Sequence, residues 1–113
     1  MPGHCLAMWE FHVKPEFVEE FERAYGSSGS WAVFFRQSPE YLGTELFRDV
    51  DRPGRYLTID RWTSQEALLR FKREHAVEYA ALDQQCERLT DTERFLGEFE
   101  SLTPRVTAPS LRP

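Results

Sequence analysis

From Cys5 to Val13 large and polar positions alternate, with Trp9, Phe11 and Val13 on one parity and Glu10 and His12 on the other. A period of two predicts a strand. Pro15 then stands where a first helical residue belongs, and Phe17, Val18, Phe21, Ala24 and Tyr25 recur at helical spacing until Gly26. Glu16, Glu19, Glu20 and Glu22 crowd the early turns, where the helix dipole favours them. Residues 27–30 read as a turn and Trp31 to Arg36 as a short second helix. Tyr41 to Val50 alternates in part, the turn Asp51-Arg52-Pro53-Gly54 follows, and Arg55 to Trp62 alternates again, which predicts a hairpin. Ser64 is placed to cap a long helix whose stripe is Leu68, Phe71, His75, Tyr79, Leu82, Cys86 and Leu89, with a break near Glu74. Glu93 to Phe99 closes the series as a fourth strand.

Strand, helix, strand, strand, helix, strand is the split βαβ order of a ferredoxin-like α+β domain with an antiparallel sheet. One such domain is expected over residues 1–102. From Thr103 to Pro113 the chain turns to Pro, Ser, Thr and Arg, and this tail is expected to be disordered or to lie on a partner. The two helices cover one sheet face only, so the other must meet solvent or a partner. The parities assign to that second face Leu6, Met8, Glu10 and His12, then Tyr41, Glu45 and Phe47, then Tyr56, Thr58, Asp60 and Trp62, and finally Leu96 and Glu98. Large apolar groups beside a few ionisable ones describe a pocket or an interface. Two copies packed through this face would form a homodimeric α/β barrel enclosing a hydrophobic or aromatic small molecule.

Composition narrows the function classes. The 113 residues carry a net charge of −5 with no run of Arg or Lys, which argues against nucleic acid, where a clustered basic face is needed. No apolar stretch approaches the length of a membrane span, and the N-terminus lacks a signal-peptide layout, so a cytoplasmic protein is expected. Cys5 and Cys86 are expected as reduced thiols. No metal-ligand spacing and no phosphate-cradling glycine pattern occurs, so neither a metal nor another cofactor is called for.

The run Pro53-Gly54-Arg55-Tyr56-Leu57-Thr58-Ile59-Asp60-Arg61-Trp62 followed by Ser64, with Phe21, Tyr25, Gly29, Trp31, Phe35 and Arg36, resembles the antibiotic biosynthesis monooxygenase domain of the dimeric α/β-barrel superfamily. The resemblance spans roughly residues 5–100. It implies oxygenation of an anthrone, quinol or other polyketide-like phenol by dioxygen without metal or flavin, because an electron-rich phenolate can itself reduce dioxygen in a dry pocket. The family's oxygenases place an Asn and a Trp on the third strand. The Trp matches Trp62, whereas the Asn falls on Thr58, and the chain has no Asn anywhere. Two further readings are a non-catalytic or stress-associated dimer that binds a small molecule, and a heme-binding or heme-degrading protein, the latter implied by another branch of the superfamily.

His12 and Glu10, two apart on one strand, form the first candidate base pair, since a carboxylate can orient the imidazole. Asp60 is the alternative base, with Glu45 a possible neighbour that would raise its pKa. Trp62 and Tyr56 are placed to stack on a planar substrate, with Thr58, Phe47 and Met8 completing the pocket. Each has a plainer reading: a wet rim for His12 and Glu10, an Arg-paired carboxylate for Asp60, interface packing for the aromatics. His75, on the apolar stripe of the long helix, reads as a core histidine ahead of a heme ligand.

Overall fold

The computed structural model describes residues 3–103. Four strands, β1 (Cys5–Val13), β2 (Tyr41–Arg48), β3 (Arg55–Trp62) and β4 (Thr90–Glu100), pair antiparallel in the order β2-β3-β1-β4. This is the expected ferredoxin-like arrangement, and its helices lie on one face. The first helical segment opens as a single 3-10 turn at Pro15–Phe17 and continues as α1 (Val18–Tyr25). The short second helix is α2 (Ser30–Phe35). The long helix is broken at His75, as the stripe suggested, into α3 (Gln65–Glu74) and α4 (Ala76–Cys86). Ser64 caps α3, its hydroxyl accepting from the Ala67 N–H at 3.1 Å. None of these helices is long and apolar enough to cross a membrane. The expected tail beyond Thr103 lies outside the described residues.

Between sheet and helices sits an aromatic core. Cys5, Ala7, Phe11 and Val13 of β1 are buried there with Phe21, Tyr25, Trp31, Phe35, Phe71 and Leu89. The corner between α1 and α2 is so close that a Cβ at Gly29 would lie 2.1 Å from the Arg23 carbonyl oxygen. Gly97, at φ 135°, adjoins the register shift at which β4 inserts an extra residue, Leu96, against Met8 and Trp9 of β1.

The structure corrects half of the expected second face. Leu6, Met8, Glu10, His12, Glu45 and Phe47 do lie away from the helices. Tyr56, Thr58 and Asp60 instead pair with Phe11, Trp9 and Ala7, and residues directly opposite in an antiparallel sheet share a face. They therefore point into the helix-covered core. Trp62 pairs with Cys5, and Glu98 with Ala7, on that same face. Tyr41 opposes Trp62 across a further irregularity in β2 and joins the core as well. The physical reason is that both parities of β3 carry large groups, so alternation alone does not select its inner side. The outer face receives Arg55, Leu57, Ile59 and Arg61 in their place, through the pairings His12 with Arg55, Glu10 with Leu57 and Met8 with Ile59.

Candidate functional site

A narrow cavity of about 40 Å3 lies between the sheet and the helices. Its walls come from every layer of the fold: Trp9 and Phe11 on β1, Tyr25 on α1, Trp31 and Phe35 on α2, Thr44 on β2, and Thr58 and Asp60 on β3. Tyr79 and Asp83, one turn apart on α4, and Glu93 on β4 form the remaining side.

Asp60 is the carboxylate fixed by the sheet. Its Oδ1 accepts from the Thr44 hydroxyl at 2.6 Å, and Thr44 Oγ1 is 2.5 Å from the Tyr41 hydroxyl. With Thr44 donating to Asp60, that oxygen is left to accept from Tyr41, so the chain of hydroxyls runs toward the carboxylate. Burial pushes the Asp60 pKa up to about 6, with the Thr44 hydrogen bond and the charge of Lys72 pulling the other way. A carboxyl poised there can both take and return a proton near neutral pH. Burial also pushes the Tyr79 phenol up to about 12 and raises Tyr25 further still, so both remain neutral hydroxyls. Thr58, 4% exposed, stands beside Asp60 in the wall.

The other expected site residues divide by face. Trp62 is fully buried next to the cavity, its ring 5.5 Å from Phe35, 5.4 Å from Tyr41 and 5.3 Å from Phe71, and its indole N–H has no partner. Tyr56 packs on Phe21 and donates its hydroxyl to Glu22 at 2.5 Å, away from the cavity. His12, Glu10, Met8 and Phe47 lie across the sheet on the uncovered face, where no path through the packed strands reaches Asp60. There Glu10 is enclosed by Arg55 at 2.5 Å and Arg94 at 3.0 Å, and the Arg55 hydrogen bond holds its carboxyl below the usual range, which is the opposite of what a base at neutral pH needs. His12 is half exposed, 3.9 Å from Glu10. Asp60 and Glu45 are not neighbours in space, because they occupy opposite faces of the hairpin, and Glu45 pairs with Arg61 instead.

Sequence reading missed Trp9, Tyr25, Trp31, Tyr79, Asp83 and Glu93 as lining residues. Their signal was present in the shared parity of Trp9 and Phe11 and the four-residue spacing of Tyr79 and Asp83, but it read equally as core. His75 rests against Phe71 and Phe34, ring centroids 4.3 and 6.1 Å away, and is not part of the cavity wall. The cavity wall holds no imidazole, so none of its residues supplies the histidine that commonly ligates a heme iron.

The chain matches the family model described as antibiotic biosynthesis monooxygenase over residues 5–81. Among solved structures it is similar to SnoaB, a cofactor-independent oxygenase from Streptomyces nogalater, at 24% identity and a TM-score of 0.63, covering 95% of this chain and 98% of that one. It is also similar to an antibiotic biosynthesis monooxygenase, so described provisionally, from Nitrosomonas europaea, at 13% identity and a TM-score of 0.68, covering 92% and 95%. A MhuD variant with two manganese protoporphyrin IX bound per active site shares the fold at 23% identity and a TM-score of 0.69, covering 91% and 99%. No curated protein matches the chain.

Proposed function

The chain belongs to the antibiotic biosynthesis monooxygenase family, and from that membership we propose that it is a cofactor-independent oxygenase of a small phenolic or polyketide-like substrate, with Asp60 as the base. The observation that carries this reading is a carboxyl fixed by the Thr44 hydroxyl, its pKa pushed up to about 6, inside a cavity walled by six aromatic side chains.

Asp60 removes the phenolic or enolic proton of the bound substrate. The resulting carbanion transfers an electron to dioxygen, the two radicals combine to a carbon-bound peroxide that takes the proton back from Asp60, and O–O cleavage with loss of the hydrogen still on that carbon releases water and leaves a carbonyl there. One oxygen atom ends in the product and the other in water, so the substrate supplies all the electrons. Thr44 and Tyr41 orient Asp60 by hydrogen bonding, while Trp9, Phe11 and Phe35 offer faces for stacking and keep water from the carbanion. Trp62, behind Phe35, holds that wall in place. A cavity of about 40 Å3 has room for only a few water-sized groups. Ring entry therefore requires the cavity wall to widen.

The test is oxygen uptake by chelator-treated protein with anthrones, quinols and flavonols. Uptake is expected in the parent protein and is expected to fall roughly 10²- to 10⁴-fold in Asp60→Asn, the usual weight of one general base. Undiminished uptake in that variant would overturn the assignment of the base. A second reading, a small-molecule-binding protein without turnover, is favoured by Thr58, since a hydroxyl on a short stem stands where the family's oxygenases carry a carboxamide. Binding of the same compounds without uptake would establish it.

The outer sheet face, with Ile59, Leu57, Phe47 and Phe99 among the Glu10, Arg55, Arg61 and Arg94 ion pairs, is proposed as the surface through which two copies associate.

A further inference from the structure

Lys72, in the last turn of α3, is half-buried, and its Nζ lies 5.7 Å from the centre of the Tyr79 ring on α4 and 5.8 Å from that of Phe95 on β4. Tyr79 belongs to the cavity wall, and Phe95 packs on Trp9 of that wall with ring centres 4.9 Å apart. The ammonium therefore stands one ring behind the wall, held by two aromatic groups that attract cations. It forms no ion pair among the described residues. Its charge nevertheless reaches Asp60 and Cys5. These two lie together on the inner sheet face, where Asp60 pairs across the strands with Ala7 and Cys5 precedes Ala7 by two residues.

Glu10 shows what direct pairing does to a carboxyl in this sheet: in contact with Arg55 and Arg94, it is held below the usual range and is too weak a base. A buried carboxyl with no cation nearby is instead kept protonated. Asp60 lies between these cases, with a cation at one remove. The other groups around it bring no positive charge. Thr44 and Tyr41 on β2 are hydroxyls, and Tyr25 on α1 and Tyr79 are neutral phenols. Asp83 on α4 and Glu93 on β4 are carboxyls that burial raises, while β1 and α2 add only aromatic rings to the wall. Glu98 on β4, whose charge acts on Cys5, accepts from the Gln65 amide.

We propose that Lys72 is a positioning residue for the reaction, its ammonium held by Tyr79 and Phe95 as the through-space counter-charge of Asp60. The inference rests on Asp60 being the base, as in the oxygenase reading, but its first test needs no turnover. Standing off from the carboxyl, the ammonium favours the ionised base without locking it in a salt bridge. When Asp60 takes the substrate proton, the same ammonium opposes the negative charge that passes to the substrate and then to dioxygen.

The experiment is an NMR titration of the Asp60 carboxyl carbon, identified by its loss in Asp60→Asn, in the parent, Lys72→Met and Lys72→Arg. Methionine keeps an unbranched stem and removes the charge, whereas arginine keeps the charge between the rings. Lys72→Met is expected to move the Asp60 midpoint up by about 0.5–1 pH unit, a roughly three- to tenfold change in proton affinity, as one charge acting at partly screened range gives. Lys72→Arg is expected to keep the parent midpoint, and Phe95→Leu, which removes one of the two rings, to move it in the same direction by less. An unmoved midpoint in Lys72→Met, or an equal shift in Lys72→Arg, would overturn the proposal. If Lys72→Met does not fold, the parent decides: the Lys72 side-chain carbon next to Nζ is expected to show a step at the Asp60 midpoint that Asp60→Asn removes, and no step would be equally fatal. The rise of oxygen uptake with pH is expected to follow the Asp60 midpoint in each variant. The titration uses neither substrate nor dioxygen, so absent uptake leaves its result standing, and an unmoved midpoint leaves the uptake test of Asp60 intact.

Discussion

Asp60 occupies the center of the residue-scale argument because one position carries opposing demands. Its pKa of about 6 lies above its ordinary 3.8, so the fold favours the protonated carboxyl. The stability this contributes is fully present below about 3.8 and is lost as pH rises through about 6. At pH 8 the buried charge costs on the order of 3 kcal/mol, from the size of the shift. Asp60→Asn is therefore expected to be more stable than the parent at pH 8 by up to about that amount, with the gap closing at pH 4, as denaturant titrations at the two pH values would show. The same variant loses its base, so stability and oxygen uptake move in opposite directions. Uptake in the parent should rise with pH through about 6, as the carboxylate forms. His12→Ala, on the far face, is expected to leave uptake unchanged, and a loss of tenfold or more would return His12 to the chemistry.

At the scale of elements, the cavity exists because α1, α2 and the pair α3–α4 lean on one sheet face without meeting completely. The tight turn between α1 and α2 sets how closely Tyr25 and Trp31 approach, their rings being 6.1 Å apart. Gly29→Ala puts a methyl group against the Arg23 and Ala24 carbonyl oxygens, 2.1 and 2.5 Å from its Cβ. It is expected to cost about 1–3 kcal/mol in urea denaturation, the usual cost of overpacking, and a neutral result would show that the corner yields. The elements themselves were legible. Proline before α1, Ser64 before α3 and the turn at Asp51 to Gly54 are local signals, and the strands and helices stand where those signals put them. The side of β3 was not legible, because Tyr56 and Trp62 compete with Leu57 and Ile59 for the core on size alone.

At the scale of the whole molecule, the sheet is used on both sides for different ends. One face builds the cavity, while the other leaves Phe47 and Phe99 more than two-fifths exposed beside paired ions. Association through that face predicts the mass of two chains in sedimentation at micromolar concentration. Ile59→Lys, with its charge on the outer face, is expected to shift the mass to one chain while far-UV circular dichroism stays as in the parent. A single-chain mass for the parent would sink the shared-sheet arrangement.

Local pattern in this sequence determined the strand and helix order, the hairpin, a helix break near Glu74 and membership of the resemblance class, because periods of two and 3.6 and the turn residues act over a few neighbours. It also named Asp60 and Thr58. Tertiary structure alone decided that these two share a wall with Trp9, Trp31 and Asp83 while His12 and Glu10 lie across the sheet. Strand register fixes which parity faces the helices, and register is set by pairing between distant segments, such as Trp9 with Thr58, that no local alternation records.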